Sequence, residues 1–349
     1  MTMYLGADIG GTKVGVSAVR VLESQLEIVK TLSELTTISP DPNALSLQLI
    51  ELTERLMGDV GETDFSGYGI STFGPLIDGR SIDNPSNLTA RGIIPVVDPL
   101  YNRFQIRTVM ANDANCGALA EYRFRTDQNA DIQNLVYITL STGIGGGFVN
   151  KGVLIEGKNG NAGEIGHMTV PVPPYFSKYE LDPRQCGCRR ISCLETYASG
   201  RAIQEIAADL LERRIAKSGS LPKHWNDGRF RTDSRFDRTK ITTKDVFEAG
   251  RNGDWLSQEV VDGAIDYVAA AISNLINLFD PEAVFIGGGV ARQDDYLFGP
   301  LGNKLYPLPT LRKGVYVGPS QLGYDLGLVA PFALLLPDER YSFSKATQN

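Results

Sequence analysis

The chain has 349 residues, enough for two domains of ordinary size. Its hydrophobic fraction of 42% and charged fraction of 21% are typical of a globular protein, and a net charge of −7 offers no basic surface for nucleic acid. The first residues form no basic leader with an apolar core, and the apolar stretch 326–336 is shorter than the ~20 residues of a membrane span. We therefore predict a cytoplasmic protein that binds neither nucleic acid nor membrane.

A strand, a glycine turn and a second strand begin the chain. Apolar and β-branched residues continue on both sides of Gly10-Gly11 over residues 4–19, without the period of a helix. Residues 136–149 repeat this shape around a second glycine cluster. Two copies of one unit predict an internally duplicated fold.

Helices and strands alternate through the rest of the chain. The first half predicts a helix, two short strands and another helix, over 44–57, 68–72, 108–111 and 114–125. The second half predicts a helix that Ser199 caps, a long helix over 255–279 and a buried strand over 283–286. This alternation predicts an α/β architecture in two lobes.

Three cysteines and a histidine lie close together in the sequence. Cys186, Cys188 and Cys193 form the pattern C-x-C-x4-C, and His167 precedes them. Disulfides within so tight a triplet would be strained and would leave an odd thiol, whereas three thiolates and one imidazole complete a tetrahedral zinc site. The alternative is a group of unrelated buried thiols.

Glycine turns lie at 10–11, 145–147 and 287–289. Because glycine lets backbone N–H groups approach a phosphate without a Cβ in the way, these turns predict a polyphosphate ligand. The sequence has no G-x-x-x-x-G-K-[ST] loop, and Gly143-x-Gly145 stands between two strands rather than before a helix. These contexts argue against a P-loop and against a dehydrogenase.

Polar residues beside the turns admit two interpretations each. Asp8 would hold a phosphate-bound metal or would stabilise the first turn. Thr12 and Lys13 supply a hydroxyl and a cation to phosphate, or they are ordinary hairpin residues. Asn112-Asp113 ends a strand at the start of a helix, where it would be catalytic or would cap the helix. Spacing alone leaves both interpretations open in each case.

Several longer segments carry a more specific pattern. They are Asp8-Ile-Gly-Gly-Thr-Lys13, Asn112-Asp-Ala-Asn115, Thr142-Gly-Ile-Gly-Gly-Gly147, Gly163-Glu-Ile-Gly-His167, Cys186-Gly-Cys188, Cys193-Leu-Glu195, and Asp280-Pro281 with Ile286-Gly-Gly-Gly289. In this order they resemble the ROK family of sugar kinases, over essentially the whole chain. The resemblance implies an α/β, actin-like and ribonuclease-H-like duplicated fold of two lobes with the active site in the cleft. We accordingly predict an N-terminal lobe over 1–112, completed by a C-terminal helix at about 325–345, and a C-terminal lobe over 113–324.

The resemblance also implies a role for each matching residue. Asp113 corresponds to the catalytic base that takes the proton of a sugar hydroxyl. The residues that match sugar ligands are Gly74, Asn87, Asn112, Asp113, Glu164, His167 and Glu195. The residues that match nucleotide-binding segments are Asp8, Gly10, Gly11, Thr12, Lys13, Thr142, Gly143, Gly145, Gly288 and Gly289. The residues that match structural zinc ligands are His167, Cys186, Cys188 and Cys193.

The chain departs from the family pattern in several places. The segment between His167 and Cys186 is longer than usual and rich in proline, which suggests a lid or an interface. Arg189 and Ser192 replace glycines beside the cysteines, which leaves the local turn geometry open. The tryptophan usual after Asn87 is missing, which leaves the identity of the sugar open. The polar stretch 216–240 is predicted to be a solvated insertion, with a contact surface as the alternative.

We predict ATP-dependent phosphorylation of a hexose at its 6-hydroxyl, with glucose preferred, by a homodimer that holds structural Zn²⁺ and uses Mg²⁺ with ATP. Alternative acceptors are N-acetylmannosamine, N-acetylglucosamine, mannose and fructose, and polyphosphate is an alternative donor. A sugar-responsive binding protein without turnover is the alternative from another class, as among the ROK repressors. Those repressors carry an N-terminal helix-turn-helix domain, whereas this chain starts at its first strand, so a kinase is expected.

Overall fold

The computed structural model describes residues 1–85, 88–124, 132–225, 229–232, 235–293, 295–305, 314–337 and 339–345. Its strands are β1 (Thr2–Ile9), β2 (Lys13–Leu22), β3 (Gln25–Leu35), β4 (Tyr68–Thr72), β5 (Leu76–Ile77), β6 (Ser81–Asp83), β7 (Ile93–Pro95), β8 (Thr108–Asn112), β9 (Leu135–Leu140), β10 (Ile144–Asn150), β11 (Val153–Leu154), β12 (Arg231–Thr232), β13 (Arg235–Phe236), β14 (Ala283–Gly287), β15 (Tyr316–Pro319) and β16 (Ser342–Lys345). Its α-helices are α1 (Ala44–Val60), α2 (Val97–Phe104), α3 (Asp113–Phe124), α4 (Pro174–Lys178), α5 (Glu195–Ala198), α6 (Gly200–Ser218), α7 (Thr243–Arg251), α8 (Trp255–Phe279), α9 (Asp295–Leu305) and α10 (Leu326–Ala333). Among the helices described, none has both the length and the apolar composition needed to cross a membrane.

These elements form two compact units. The first contains Met1–Tyr137, Gly146–Gly163 and Ser320–Asn349, and the second contains Ile138–Gly145 and Glu164–Pro319. Helix α3 thus groups with the N-terminal strands, although the predicted lobe boundary lies just before it. The division into lobes at residue 113 stays a prediction.

A six-stranded sheet forms the centre of the first unit, in the order β16-β3-β2-β1-β4-β8. Strands β1, β2 and β3 are antiparallel neighbours, and β4 and β8 extend the sheet from β1 in parallel. Because parallel strands end at the same edge of a sheet, the ladder sets Ile9 opposite Thr72, and Thr72 opposite Asn112. The strand ends thereby bring the first glycine turn and Asn112 to one edge.

The two faces of strand β1 pack against different helices. Its residues Leu5, Ala7 and Ile9 are buried with the apolar side of α1, as the alternation of side chains in a strand requires. Gly6, on the opposite face, lies under α10, where an added Cβ would be 2.5 Å from the Phe332 ring. The absence of a side chain at Gly6 therefore lets α10 pack directly on the sheet.

The predicted C-terminal helix at about 325–345 is wrong in its length. Helix α10 covers only Leu326–Ala333, and residues Ser342–Lys345 form strand β16, which pairs in parallel with β3. Pro337 has no backbone N–H and disfavours helical conformation in the residue before it, so it keeps a helix from continuing.

Helix α8 is central to the second unit and contacts α5, α6, α7 and α9. It covers the predicted residues Trp255–Phe279. The Asp254 side chain accepts a hydrogen bond from the Ser257 N–H and caps the first turn, while Asp280 ends the helix in the left-handed region at φ 44°. The second sheet of the chain has the order β11-β10-β9-β14-β15.

The long segment after His167 contains α4, which packs on α8. A Cβ added to Gly263 would be 2.7 Å from the Tyr175 ring, so glycine is needed for the close approach. The Lys178 ammonium binds the Glu259 carboxylate at 2.8 Å. These contacts attach the segment to its own unit, and its predicted role as a lid or an interface stays open.

The described part of the polar stretch 216–240 packs on α6. The Arg238 guanidinium binds Asp209 at 2.7 Å and Glu212 at 3.0 Å. The Trp225 side chain is buried and donates to Asp254 at 3.2 Å. The predicted solvated insertion therefore has a buried anchor as well as a charged surface.

Candidate active site and metal centre

Asp8 lies near the end of β1, opposite Ser71 of the parallel strand β4. Burial raises the pKa of Asp8 to about 6, and a hydrogen bond from the Ser71 side chain opposes the shift. A Cβ added to Gly327, in the first turn of α10, would be 3.2 Å from the Asp8 carboxylate. A carboxylate that is buried in this way is suited to hold a cation, because a cation would stabilise its charged form.

The turn after Asp8 presents backbone to solvent. The Gly10 N–H donates to the Lys13 carbonyl at 2.9 Å, and the Thr36 hydroxyl donates to the Gly10 carbonyl at 2.7 Å. Gly11, Thr12 and Lys13 are exposed. The turn is thus a hydrogen-bonded hairpin that leaves a hydroxyl, an ammonium group and backbone at the surface, which is what a phosphate site requires.

Asn112 and Asp113 stand where β8 ends and α3 begins. The Ala114 N–H points at both side chains, at 2.9 Å from Asn112 Oδ1 and 2.8 Å from Asp113 Oδ1. Asn112 and Asp113 thus both bind a backbone N–H of the first turn of α3, as the capping interpretation predicts. Asp113 is also exposed, so its carboxylate remains accessible to a substrate.

The predicted sugar contact at Gly74 lies in the short connection between β4 and β5, where the Gly74–Pro75 peptide bond is cis. Asn87 lies outside the described residues. Sequence reasoning missed Asn161, which binds the backbone N–H and carbonyl of Leu76. Its signal in the sequence was an amide within the glycine-rich loop 157–163.

The second glycine turn packs against Glu195 within the second unit. The Ile144 N–H donates to Glu195 Oε2 at 3.0 Å, and a Cβ on Gly143 would be 2.5 Å from the same oxygen. The other carboxylate oxygen lies 3.4 Å from the Arg201 guanidinium. Glu195 is thereby held in place beside the turn that contains Thr142 and Gly145, and Arg201 is a contact that sequence reasoning missed.

The third glycine turn follows β14 and lies against Leu140 at the end of β9, next to the second turn. Gly288 adopts φ 95°, and a Cβ there would be 2.5 Å from the Leu140 carbonyl, so glycine is required on both counts. The Val290 N–H donates to the same carbonyl at 2.9 Å. Gly289 is exposed. The structure therefore brings two of the predicted phosphate-binding turns together at Leu140 and Ser141.

Glu164 directly precedes the 3₁₀ turn Ile165–His167, so that its side chain and that of His167 lie on the same side. Glu164 Oε2 and His167 Nε2 are 3.8 Å apart. Burial raises the pKa of the Glu164 carboxyl; His167 opposes the shift, and the nearby Glu195 carboxylate adds to it. The two carboxyl groups and the imidazole form a cluster of hydrogen-bonding groups suited to hydroxyl ligands.

The predicted metal ligands converge on one point. The ligand atoms of His167, Cys186, Cys188 and Cys193 all lie within 4.8 Å of one another. Cys188 Sγ and Cys193 Sγ are 3.6 Å apart, and Cys186 Sγ is 3.4 Å from His167 Nδ1. In a tetrahedral zinc site with Zn–S bonds of ~2.3 Å, two sulfurs are ~3.8 Å apart, so the donor set fits the metal.

The turn between the cysteines is tight. The Arg189 N–H donates to the Cys186 carbonyl at 2.8 Å, and the Cys186 N–H donates to the Arg190 carbonyl, also at 2.8 Å. Arg189 and Ser192 both adopt left-handed φ, at 70° and 63°. The family pattern has glycine at these two positions. Here Arg189 and Ser192 adopt the left-handed conformation although both carry a side chain.

Several known proteins that are similar to the chain are sugar kinases. The chain is 33% identical over 332 residues to the glucokinase of Halalkalibacterium halodurans, covering 93% of this chain and 92% of that one. It is 30% identical over 294 residues to the N-acetylmannosamine kinase of Salmonella typhi, covering 84% and 85%. The crystal structure of a ROK family glucokinase from Streptomyces griseus, in complex with glucose and AMPPNP, matches with a TM-score of 0.70 and 29% identity, covering 95% and 98%. The chain is thus a sugar kinase, a phosphotransferase with a mixed α/β fold.

A family model identifies the family of the chain. The family model described as "ROK family" matches residues 4–319. The chain belongs to the ROK family. The relatives compared at 30% identity or more over most of the chain are kinases, which argues against the alternative of a sugar-responsive protein without turnover.

Proposed function

We propose that the protein transfers the terminal phosphoryl group of ATP to the 6-hydroxyl of a hexose and that glucose is the preferred acceptor. Similarity to the Halalkalibacterium halodurans glucokinase over nearly the whole chain supports the sugar. The Streptomyces griseus glucokinase, whose structure contains glucose and AMPPNP, supports the pair of substrates. The observation that carries the proposal is the exposed Asp113 carboxylate at the start of α3, beside Asn112.

Asp113 is proposed as the general base. Phosphoryl transfer passes through a loose transition state, so the protein contributes mainly by positioning and by neutralising charge. The Asp113 carboxylate orients the attacking hydroxyl and accepts its proton late in the transfer. Its bond to the Ala114 N–H, at 2.8 Å, fixes the orientation of the carboxylate.

The glycine turns are proposed to bind the nucleotide. Backbone N–H groups in the turns at 10–13, 142–145 and 288–289 hydrogen-bond the phosphate oxygens. Asp8 would hold the Mg²⁺ that accompanies ATP, which would supply positive charge next to the phosphate oxygens. The raised pKa of Asp8, about 6, fits this role, because it marks a carboxylate that a cation would stabilise.

The hexose is proposed to bind through hydroxyl contacts with Gly74, Asn87, Asn112, Glu164, His167 and Glu195. Zinc on the cysteine cluster would take His167 through Nδ1, which lies 3.4 Å from Cys186 Sγ. Nε2, on the Glu164 side of the ring, is then the nitrogen that binds a hydroxyl in a fixed tautomer. Zinc held by these residues would be structural, and it would also fix the orientation in which His167 binds the sugar.

N-acetylmannosamine is the second candidate acceptor, because the chain is also 30% identical to the Salmonella typhi N-acetylmannosamine kinase. N-acetylglucosamine, mannose and fructose remain further alternatives, and polyphosphate remains an alternative donor. We also propose a homodimer in the cytoplasm, which sedimentation of the pure protein and fractionation of its source cells would test.

A coupled assay of ADP release tests the proposed activity. The assay supplies ATP and Mg²⁺ with each of the five sugars in turn and compares kcat/KM. We expect the highest value with glucose. A higher kcat/KM with N-acetylmannosamine would replace the acceptor, and turnover with polyphosphate but not with ATP would replace the donor.

A further inference from the structure

We propose that Asn161 is a positioning residue that fixes the Gly74–Pro75 segment for binding of the sugar, a proposal that rests on the hexose kinase function proposed above. Asn161 lies in the loop 157–163, directly before Glu164 in the chain. The residues argued to bind sugar include Gly74 and Glu164 but not Asn161. Its role would therefore be exerted through the backbone of another residue.

The Asn161 carboxamide binds both backbone groups of Leu76. Leu76 N–H donates to Asn161 Oδ1 at 3.0 Å, and Asn161 Nδ2 donates to the Leu76 carbonyl at 3.0 Å. A further bond from Nδ2 to the Asn159 carbonyl, at 3.3 Å, orients the amide. A carboxamide can donate and accept at once, which an alanine or an ionised aspartate cannot do. The side chain thus pairs with Leu76 as a neighbouring strand would.

Leu76 begins the short hairpin of β5 and β6, which directly follows Gly74–Pro75. It is 4% exposed and pairs with Ile82 across β5 and β6. The Pro75 carbonyl, next to Gly74, accepts a bond from the Asp83 N–H at 2.9 Å. A constraint on the backbone of Leu76 is therefore a constraint on Gly74–Pro75 and on the strand that leads toward Asn87.

The loop that carries Asn161 is itself held firmly. Asn115, the last residue of the Asn112–Asn115 motif, is 1% exposed. Its Nδ2 donates to the Gly160 carbonyl at 3.5 Å. The Gly146 N–H donates to the Gly163 carbonyl at 2.8 Å. Gly163 adopts φ 94°, and a Cβ there would be 2.0 Å from the Gly146 carbonyl oxygen. Because the loop is anchored to α3 and β10, the Asn161 side chain is fixed in place, and its two hydrogen bonds hold the backbone of Leu76.

Asn161→Ala would leave the two backbone groups of Leu76 without these partners. The loss of two hydrogen bonds to a partly buried segment should raise the KM for the sugar by about five- to tenfold. The KM for ATP should change less than about twofold, because the glycine turns do not depend on this contact. Asn161→Asp, which keeps an acceptor for the Leu76 N–H but loses the donor, should give an intermediate rise in the sugar KM.

Steady-state kinetics and hydrogen–deuterium exchange of the two variants test the proposal. Asn159→Ala is the matched control, because Asn159 is an exposed amide of the same loop and contributes its backbone carbonyl, which the variant keeps. We expect faster exchange of the Leu76 amide and a selective rise in sugar KM in Asn161→Ala, and neither effect in the control. Unchanged exchange at Leu76, or sugar and ATP KM values that rise together with a fall in Tm, would overturn the proposal. If the wild-type enzyme phosphorylates no hexose, the proposed function fails, while exchange at Leu76 still decides whether Asn161 positions this segment.

Discussion

Asp8 is a partly buried carboxylate whose pKa is raised to about 6, mainly by desolvation. A raised pKa means that the folded protein binds the proton more tightly than the unfolded chain does. The stabilising contribution of the protonated group is therefore complete below pH ~4 and is lost as the pH rises through about 6. In the proposed cation site, this loss of stability is the consequence of keeping a charged carboxylate buried where the cation would bind.

Asp8→Asn should remove this pH dependence. We expect the variant to exceed the wild type in free energy of unfolding by about 2–3 kcal/mol near pH 8, and to match it near pH 4, because only the wild type must ionise a buried group. Urea unfolding at both pH values, without nucleotide or Mg²⁺, measures the difference. Asp64→Asn, at an exposed position in the same unit, is the control. A stability difference between Asp8→Asn and wild type that is the same at both pH values would contradict the assignment.

Arg189 shows how a side chain can occupy a position that favours glycine. Its φ of 70° costs a residue with a Cβ about 1 kcal/mol relative to glycine. Arg189→Gly should therefore raise the free energy of unfolding of the metal-loaded protein by about 0.5–1 kcal/mol. Arg189→Ala removes the same side chain but keeps the Cβ, so it should give no such gain. Equal effects of the two substitutions in urea unfolding would mean that the backbone at Arg189 is unstrained.

Close packing of helix on sheet is the main structural requirement at the scale of the elements. Helix α10 crosses the sheet above Gly6 and Gly69, and a Cβ on Gly69 would be 1.9 Å from the Pro331 carbonyl oxygen. This approach places Gly327, in the first turn of α10, against Asp8. The glycines of the sheet therefore determine how the helix meets the proposed cation site.

Gly69→Ala should force α10 away from the sheet. Because the nearest atoms belong to the backbone, we expect a loss of about 1–3 kcal/mol in free energy of unfolding. Gly58→Ala is the matched control, since Gly58 is an exposed position in α1 with open space around it. That substitution should stabilise the protein by about 0.5–1 kcal/mol through helix propensity. A destabilisation by Gly58→Ala as large as that by Gly69→Ala would show that packing under α10 is not the cause.

The metal centre connects the 3₁₀ turn of His167 to the turn that holds the cysteines. Elemental analysis of the reduced, freshly purified protein should find about one zinc per chain. Cys193→Ser should lose most of that zinc and lower the Tm, because the ligand set becomes incomplete. Cys116→Ala, at the cysteine buried in α3, should keep the zinc. Zinc-free wild-type protein, or a Cys193→Ser variant with full zinc, would count against the site.

At the scale of the whole chain, local sequence patterns are sufficient to predict where helices and strands lie. They are not sufficient to predict which strands pair. Helix α8 was predicted at its full length because an apolar helical period lies between Asp254 and Asp280-Pro281, which mark both ends. Strand β16 was mistaken for helix because its identity depends on pairing with β3, far away in the chain. Hydrophobic periodicity reports the local conformation of a segment and not the strand that it pairs with.

In the candidate site, too, some features could be predicted from the sequence and others could not. The cysteine cluster was predicted because three cysteines lie within eight residues, with unrelated buried thiols as the alternative, and the structure brings the four ligand atoms within 4.8 Å of one another. The contacts of Asn161 and Glu195 were not predicted, because their partners Leu76 and Ile144 lie 85 and 51 residues away. Contacts of a side chain with distant backbone leave no periodic signal in a single sequence.

The central claim is that Asp113 accepts the proton of the sugar hydroxyl during phosphoryl transfer from ATP, and Asp113→Asn tests it most directly. Asparagine keeps the size of the side chain and an oxygen for the Ala114 N–H, but it cannot accept the proton of a hydroxyl. ADP release with ATP, Mg²⁺ and glucose should fall by about a hundredfold or more, while stabilisation by glucose in a thermal shift assay persists. Asp64→Asn should retain wild-type turnover. Turnover in Asp113→Asn at the wild-type rate would contradict the account, because the reaction would then have another base.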